Sequence, residues 1–88
     1  MELLKVSSQS KPKLVAGAIA AVVRESSSVE IQAIGAAAIN QAVKSIAVAR
    51  TYVVPDGIDL VCYPTFSLLD VEGQEKTSIR FVVEKRNG

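Results

Sequence analysis

Histidine and tryptophan are absent from the 88 residues, and cysteine occurs once, as Cys62. Each gap removes a class of chemistry. Without histidine the commonest general base and the commonest metal ligand are missing. One cysteine without histidine gives neither a Cys–His nucleophile nor a zinc site. A single thiol also excludes an internal disulfide, and Cys62, following Val61 in an expected strand, reads as a buried and inert thiol. No run of about 18 apolar residues occurs, so no helical membrane span is expected. Residues 1–6 are too short and too charged for a signal-peptide apolar region, which makes the cytoplasm the expected compartment. There is no P-loop, and Gly35 stands alone without a dinucleotide fingerprint. The carboxylates fall mainly in expected loops and read as a solvated rim. No enzymatic activity, no catalytic residue, no cofactor and no metal site are expected.

Aromatic residues are also scarce (Tyr52, Tyr63, Phe66 and Phe81), yet hydrophobic residues make up 49% of the chain against 22% charged. That composition folds, and small aliphatic side chains must carry the core. The length fits one domain spanning residues 1–88, with 85–88 as a frayed tail. A core this small gains from association, so a homodimer or higher homo-oligomer is expected. Net charge is only +1, but it is unevenly spread. Residues 1–50 hold six basic and three acidic side chains (+3), and residues 51–88 hold four and six (−2). The amino-terminal half is the one that would face phosphate.

Residues 2–6 alternate as a strand, with Leu4 and Val6 on one face and Leu3 and Lys5 on the other. A polar loop follows, and Pro12 suits the first turn of a helix. That helix carries a ladder of Leu14, Val15, Ala18, Ile19, Val22 and Val23, beside a small-residue face of Ala16, Gly17, Ala20 and Ala21. The small face fits either a tight internal contact or a subunit contact. Residues 29–34 alternate as a second strand. A second helix begins after Gly35, with Ile39, Val43, Ile46 and Arg50 on one stripe and Ala38, Ala42 and Ala49 on another. Pro55-Asp56-Gly57 marks a turn. A third strand runs over 58–69, placed at a sheet edge with a break or bulge by Pro64. Residues 71–74 form a hairpin turn, and 77–83 form the last strand.

The order βαβαββ gives an α/β (α+β) two-layer sandwich: a four-stranded mixed sheet with two helices on one face. The opposite face stays open, with Leu3, Lys5, Gln32 and Ile34 on it, and invites a partner. The amino ends of the two helices are the candidate site. Ser7, Ser8, Gln9, Ser10, Lys11 and Lys13 border the first. Gly35 opens the second, with the amides of Asn40 and Gln41 in its first turns and Lys44 one turn further on. Exposed N–H groups and the helix dipole favour an anion at such ends.

The stretch from Glu30 to Lys44, EIQAIGAAAINQAVK, closely resembles the stage V sporulation protein S family of spore-forming bacteria. Leu4-Lys5-Val6-Ser7, Val15-Ala16-Gly17-Ala18, Pro55-Asp56-Gly57-Ile58-Asp59-Leu60 and Val82-Val83-Glu84 agree with it. Ala38-Ile39-Asn40-Gln41-Ala42-Val43 is also similar to the second-helix motif of the Alba chromatin proteins. These resemblances imply an Alba-like sandwich of strand order 1-2-4-3, a dimer, and nucleic-acid contact through the first loop and the final hairpin. The chain departs from the Alba pattern in two places. Lys11 and Lys13 are split by Pro12 where Alba presents paired lysines. The hairpin carries Asp70, Glu72 and Glu75 against Lys76 alone, and those carboxylates repel a phosphate backbone.

The expected function is a sporulation or developmental regulator, a small non-enzymatic module that binds DNA or RNA as a dimer. Lys11, Lys13 and Lys44 would meet phosphates, and Ser7, Ser8, Gln9, Ser10 and Asn40 would supply hydrogen bonds. The alternative is a protein-interaction module without nucleic-acid affinity, favoured by the near-neutral charge and the acidic hairpin. No membrane partner is expected.

Overall fold

The computed structural model describes residues 2–71 and 74–86, with the backbone alone described over 67–71 and 74–77. Strand β1 (Glu2–Val6) leads into helix α1 (Pro12–Glu25), strand β2 (Ser28–Ile34) and helix α2 (Ala36–Val53). A single 3₁₀ turn (Val54–Asp56) follows, then the paired strands β3 (Leu60–Val71) and β4 (Gln74–Lys85). The sheet order is β1-β2-β4-β3, with β1 and β2 parallel and both other pairs antiparallel. This is the expected βαβαββ layout.

Alternation along the strands decides which side the helices cover. Val29, Ile31 and Ala33 of β2 are fully buried, and they oppose Val83, Phe81 and Ile79 of β4. Leu4 and Val6 of β1 lie in the same layer. Leu3, Lys5, Gln32 and Ile34 fall on the opposite, open face, as their strand positions predict.

The helices bury part of the expected stripes, with Val15, Val22 and Ile39 partly buried against the core, together with alanines beside them. On α1 the buried residues are Ala16, Ile19, Ala20 and Val23, while Leu14 is 71% exposed. On α2 the buried set is Ala38, Ala42, Ser45, Ile46, Ala49 and Val53, while Val43 and Arg50 face solvent. Each helix contacts both the sheet and its neighbour. Its buried face therefore serves both contacts, and the alanines on it permit close approach. The small-residue face of α1 is accordingly an internal contact at Ala16 and Ala20, with Gly17 and Ala21 exposed.

Pro64 lies on the edge strand, but it neither breaks nor bulges it. The register of β3 with β4 runs without a slip from Leu60 opposite Lys85 to Val71 opposite Gln74. Lys85 N–H donates to Ser27 O at 3.1 Å, and Arg86 N–H to Asp59 O at 2.8 Å. Backbone groups along a strand alternate sides, so odd-numbered residues of β4 turn theirs toward β2. Phe81, opposite Pro64, is one of these, and the missing N–H of Pro64 falls on the outer edge, where it costs no ladder bond. Lys85 and Arg86, expected in a frayed tail, are held by the same two bonds. The turn at Glu72 and Gly73 and the tail at Asn87 and Gly88 lie outside the described residues.

The Pro55–Leu60 segment closes the far end of the molecule. Gly57, at φ 72°, ends the 3₁₀ turn in the left-handed conformation that glycine adopts without a Cβ clash. Asp56 binds Arg24 of α1 at 3.0 Å, and Arg24 also donates to Tyr52 O at 3.2 Å. Asp59 accepts from Arg50 at 3.1 Å and from Arg86 at 2.8 Å.

Candidate nucleic-acid interface

Strands β1 and β2 are parallel, and each is followed by a helix running back along the sheet. Both helix amino ends therefore open at the same end of the sheet, beyond Val6 and Ile34. Neither is plugged. The N-cap residues Lys11 and Gly35 make no side-chain capping bond, and neither first turn contains an acid. Pro12 has no N–H and the Leu14 N–H donates to Lys11 O, so α1 offers only the Lys13 N–H, whereas α2 keeps the N–H groups of its first turn. Both dipoles add to the local positive potential.

The loop between β1 and α1 is knit by its own serines. Ser7 N–H donates to Ser10 Oγ at 2.9 Å, Gln9 N–H to Ser7 Oγ at 3.2 Å, and Ser10 N–H to Ser7 O at 3.1 Å. Gln41 of α2 reaches across and donates through Nε2 to Ser10 O at 2.9 Å. Local side-chain bonds of this kind fix a turn. The hydroxyls of Ser7 and Ser10 thus shape the loop, while Ser8 and Gln9 are exposed.

Two grooves flank this loop. One, of about 490 Å³, lies over the amino end of α2 and is lined by Ser7, Ser8 and Gly35 together with Lys5, Gln32 and Ile34. The other, of about 590 Å³, is lined by Lys11, Lys13 and Lys44 around an apolar floor of Leu14, Ala47 and Val48. Lys11, Lys13 and Lys44 border this one groove with the carbon of their side chains, its lining being apolar. Asn40 is exposed on α2 and lines neither groove. Lys5, Gln32 and Ile34 were legible as open-face residues but not as part of the site. Their signal was the strand alternation, which ends beside Gly35.

Charge is sorted along the molecule. Arg24, Arg50 and Arg86 are paired to Asp56 and Asp59 at the helix carboxyl ends, and Arg80 approaches Glu30 at 3.8 Å on the open sheet face. Lys5, Lys11, Lys13 and Lys44 have no ion-pair partner among the described residues. The hairpin extends past Ile34 from the same end, with Asp70 and Glu75 at opposed register positions.

Cys62 is exposed on β3, not buried as its strand position suggested, because the edge strand is incompletely covered. Partial desolvation still pushes its thiol above the usual value, with the Arg50 guanidinium pulling the other way. Among the described residues no group of three or more potential ligands could hold a metal ion, and no helix is long and apolar enough to cross a membrane.

Alba from Thermoplasma volcanium superposes with a TM-score of 0.67 at 17% identity, covering 94% of this chain and 99% of that one, and so shares the fold. The stage V sporulation protein S family model matches residues 2–86. The match spans both helix amino ends, the loop between the grooves and the arginine-bound Pro55–Leu60 segment. The chain therefore belongs to the stage V sporulation protein S family, which ties it to sporulation.

Proposed function

We propose that the chain is a non-enzymatic regulator of sporulation or development that binds nucleic acid as a dimer, in the cytoplasm. The observation that carries this reading is that Lys11, Lys13 and Lys44, with no acid paired to them among the described residues, border one groove beside the uncapped amino end of α1. A phosphate backbone fits such a surface, and neutralising it releases counterions. The hairpin offers Lys76 against three acids and supplies no comparable contact. Large apolar side chains left uncovered at Leu14, Val43 and Val54 support a second copy packing on the helix layer. Titration of a labelled single strand at several salt concentrations tests the reading. Affinity should fall as salt rises and drop at least tenfold in the Lys11→Glu, Lys13→Glu double variant. Affinity indifferent to salt, or unchanged by the double reversal, removes it.

One observation favours a protein partner instead: the floor of the lysine groove is apolar, with Leu14 71% exposed. In that case a nuclease-treated pull-down retains its partners, and no oligonucleotide competes for them.

A further inference from the structure

We propose that the groove over the amino end of α2 holds one nucleotide unit, with its phosphate against the backbone amides of residues 35–38 and its base edge against the Gln32 side chain. The inference deepens the nucleic-acid reading, and rests on it where the unit belongs to a strand.

Gln32 is the first observation. It sits on the open sheet face only 9% exposed and lines this groove, yet its carboxamide has no hydrogen-bond partner among the described residues. Its amide atoms still reach solvent through the groove, so their hydrogen bonds go to whatever occupies it, water or ligand. A carboxamide presents a donor and an acceptor side by side, the pattern that matches the edge of a nucleobase.

The helix end is the second and independent observation. Helix α2 has 18 residues, no side-chain cap and no acid in its first turn. Gly35 adopts φ +88°, and nothing lies within 4 Å of the position a Cβ would take, so the approach to these amides is open. A phosphate is the group such an end favours.

The walls decide between a bare anion and a larger ligand. The exposed Ile34, Ala36 and Ala37 give the groove apolar surface, which suits the flat face of a base, and Lys5 and Ser8 also line it. A volume of about 490 Å³ is in the range that accepts a small organic molecule. Inorganic phosphate alone would satisfy the helix and leave both Gln32 and the apolar wall unused. The same unit could arrive free or splayed from a single strand, because the Ser7–Ser10 turn separates this groove from the lysine groove by one loop.

Isotope-labelled full-length chain, titrated with inorganic phosphate, nucleoside 5′-monophosphates and a single-stranded tetranucleotide, tests the proposal. Monophosphates should shift the backbone signals of residues 35–38 and the Gln32 side-chain NH₂. Gln32→Met should weaken monophosphates at least tenfold and leave the inorganic phosphate response within twofold. Ile34→Asp, at an exposed position, should weaken them similarly and serves if Gln32→Met does not fold. Monophosphates that leave residues 35–38 unmoved, bind no tighter than phosphate, or bind Gln32→Met equally overturn the proposal. Tetranucleotide binding that depends on Lys11 and Lys13 but leaves residues 35–38 silent overturns it while sparing the proposed function. Monophosphate binding without any tetranucleotide binding upholds it, names the free nucleotide as ligand, and removes the strand-binding reading.

Discussion

The Gln41 side chain donates to the Ser10 carbonyl at 2.9 Å, joining α2 to a loop 31 residues earlier in the chain. This bond anchors the residue just before Lys11, the N-cap of α1 and part of the lysine groove. Gln41→Leu should cost about 1 kcal/mol in urea unfolding, the net worth of one partly buried hydrogen bond. Amide exchange should quicken in residues 7–11, and an unchanged exchange pattern would show that the serine turn holds the loop without help.

Lys44 contacts the groove from α2, remote in sequence from the other two lysines. Lys44→Ala should reduce the slope of log affinity against log salt by about 0.7 for a single strand, the contribution of one phosphate contact. A slope equal to the parent's would remove Lys44 from the contact surface.

Asp59 bridges two guanidiniums at the opposite end, and its side chain is 40% exposed. Solvent screening discounts such pairs, but a two-armed bridge that also ties down the chain at Arg86 exceeds an isolated one. Asp59→Asn should lower stability by about 0.5–1 kcal/mol at low salt, with the difference shrinking in concentrated salt. Oligonucleotide affinity should be unaffected.

Desolvation raises the Cys62 pKa, and Arg50 partly offsets the rise. The thiolate is the reactive form, so Cys62 in the folded chain should react with a disulfide reagent more slowly at pH 8 than it does in urea. Arg50→Gln removes the offsetting charge and should slow the reaction further. The linkage has a definite sign. A thiol pKa raised by folding stabilises the native state below the unfolded value, and that contribution is lost as pH climbs through the folded value.

Pro64 turns its donorless side to the outer edge of β3. Pro64→Thr restores an N–H there and keeps the register, so stability should change little while concentration-dependent light scattering rises, as expected for an edge opened to strand pairing.

Strand alternation and turn chemistry made much of this molecule legible. Val29, Ile31 and Ala33 alternate as a buried strand face, Pro64 marks an edge, and Lys11, Lys13 and Lys44 border one groove. The helix faces are legible only in part: Ile19, Val23 and Ile46 are core, but one-dimensional periodicity scores the exposed Leu14 and Val43 as core too. It cannot register that Ala16, Ala20 and Ala42 are buried in a layer where each helix meets both the sheet and its neighbour. Gln32 was placed on the correct face, but strand period carries no information about a groove completed by the following helix.

Strand β4 lies between β2 and β3, although it is the last of the four to leave the ribosome. Until it emerges, β3 has no neighbour and β2 lacks one of its two. A nascent chain stalled before residue 74 would expose the unpaired Leu60–Val71 strand to chaperones and proteases. Closure of the sheet therefore waits on the synthesis of β4.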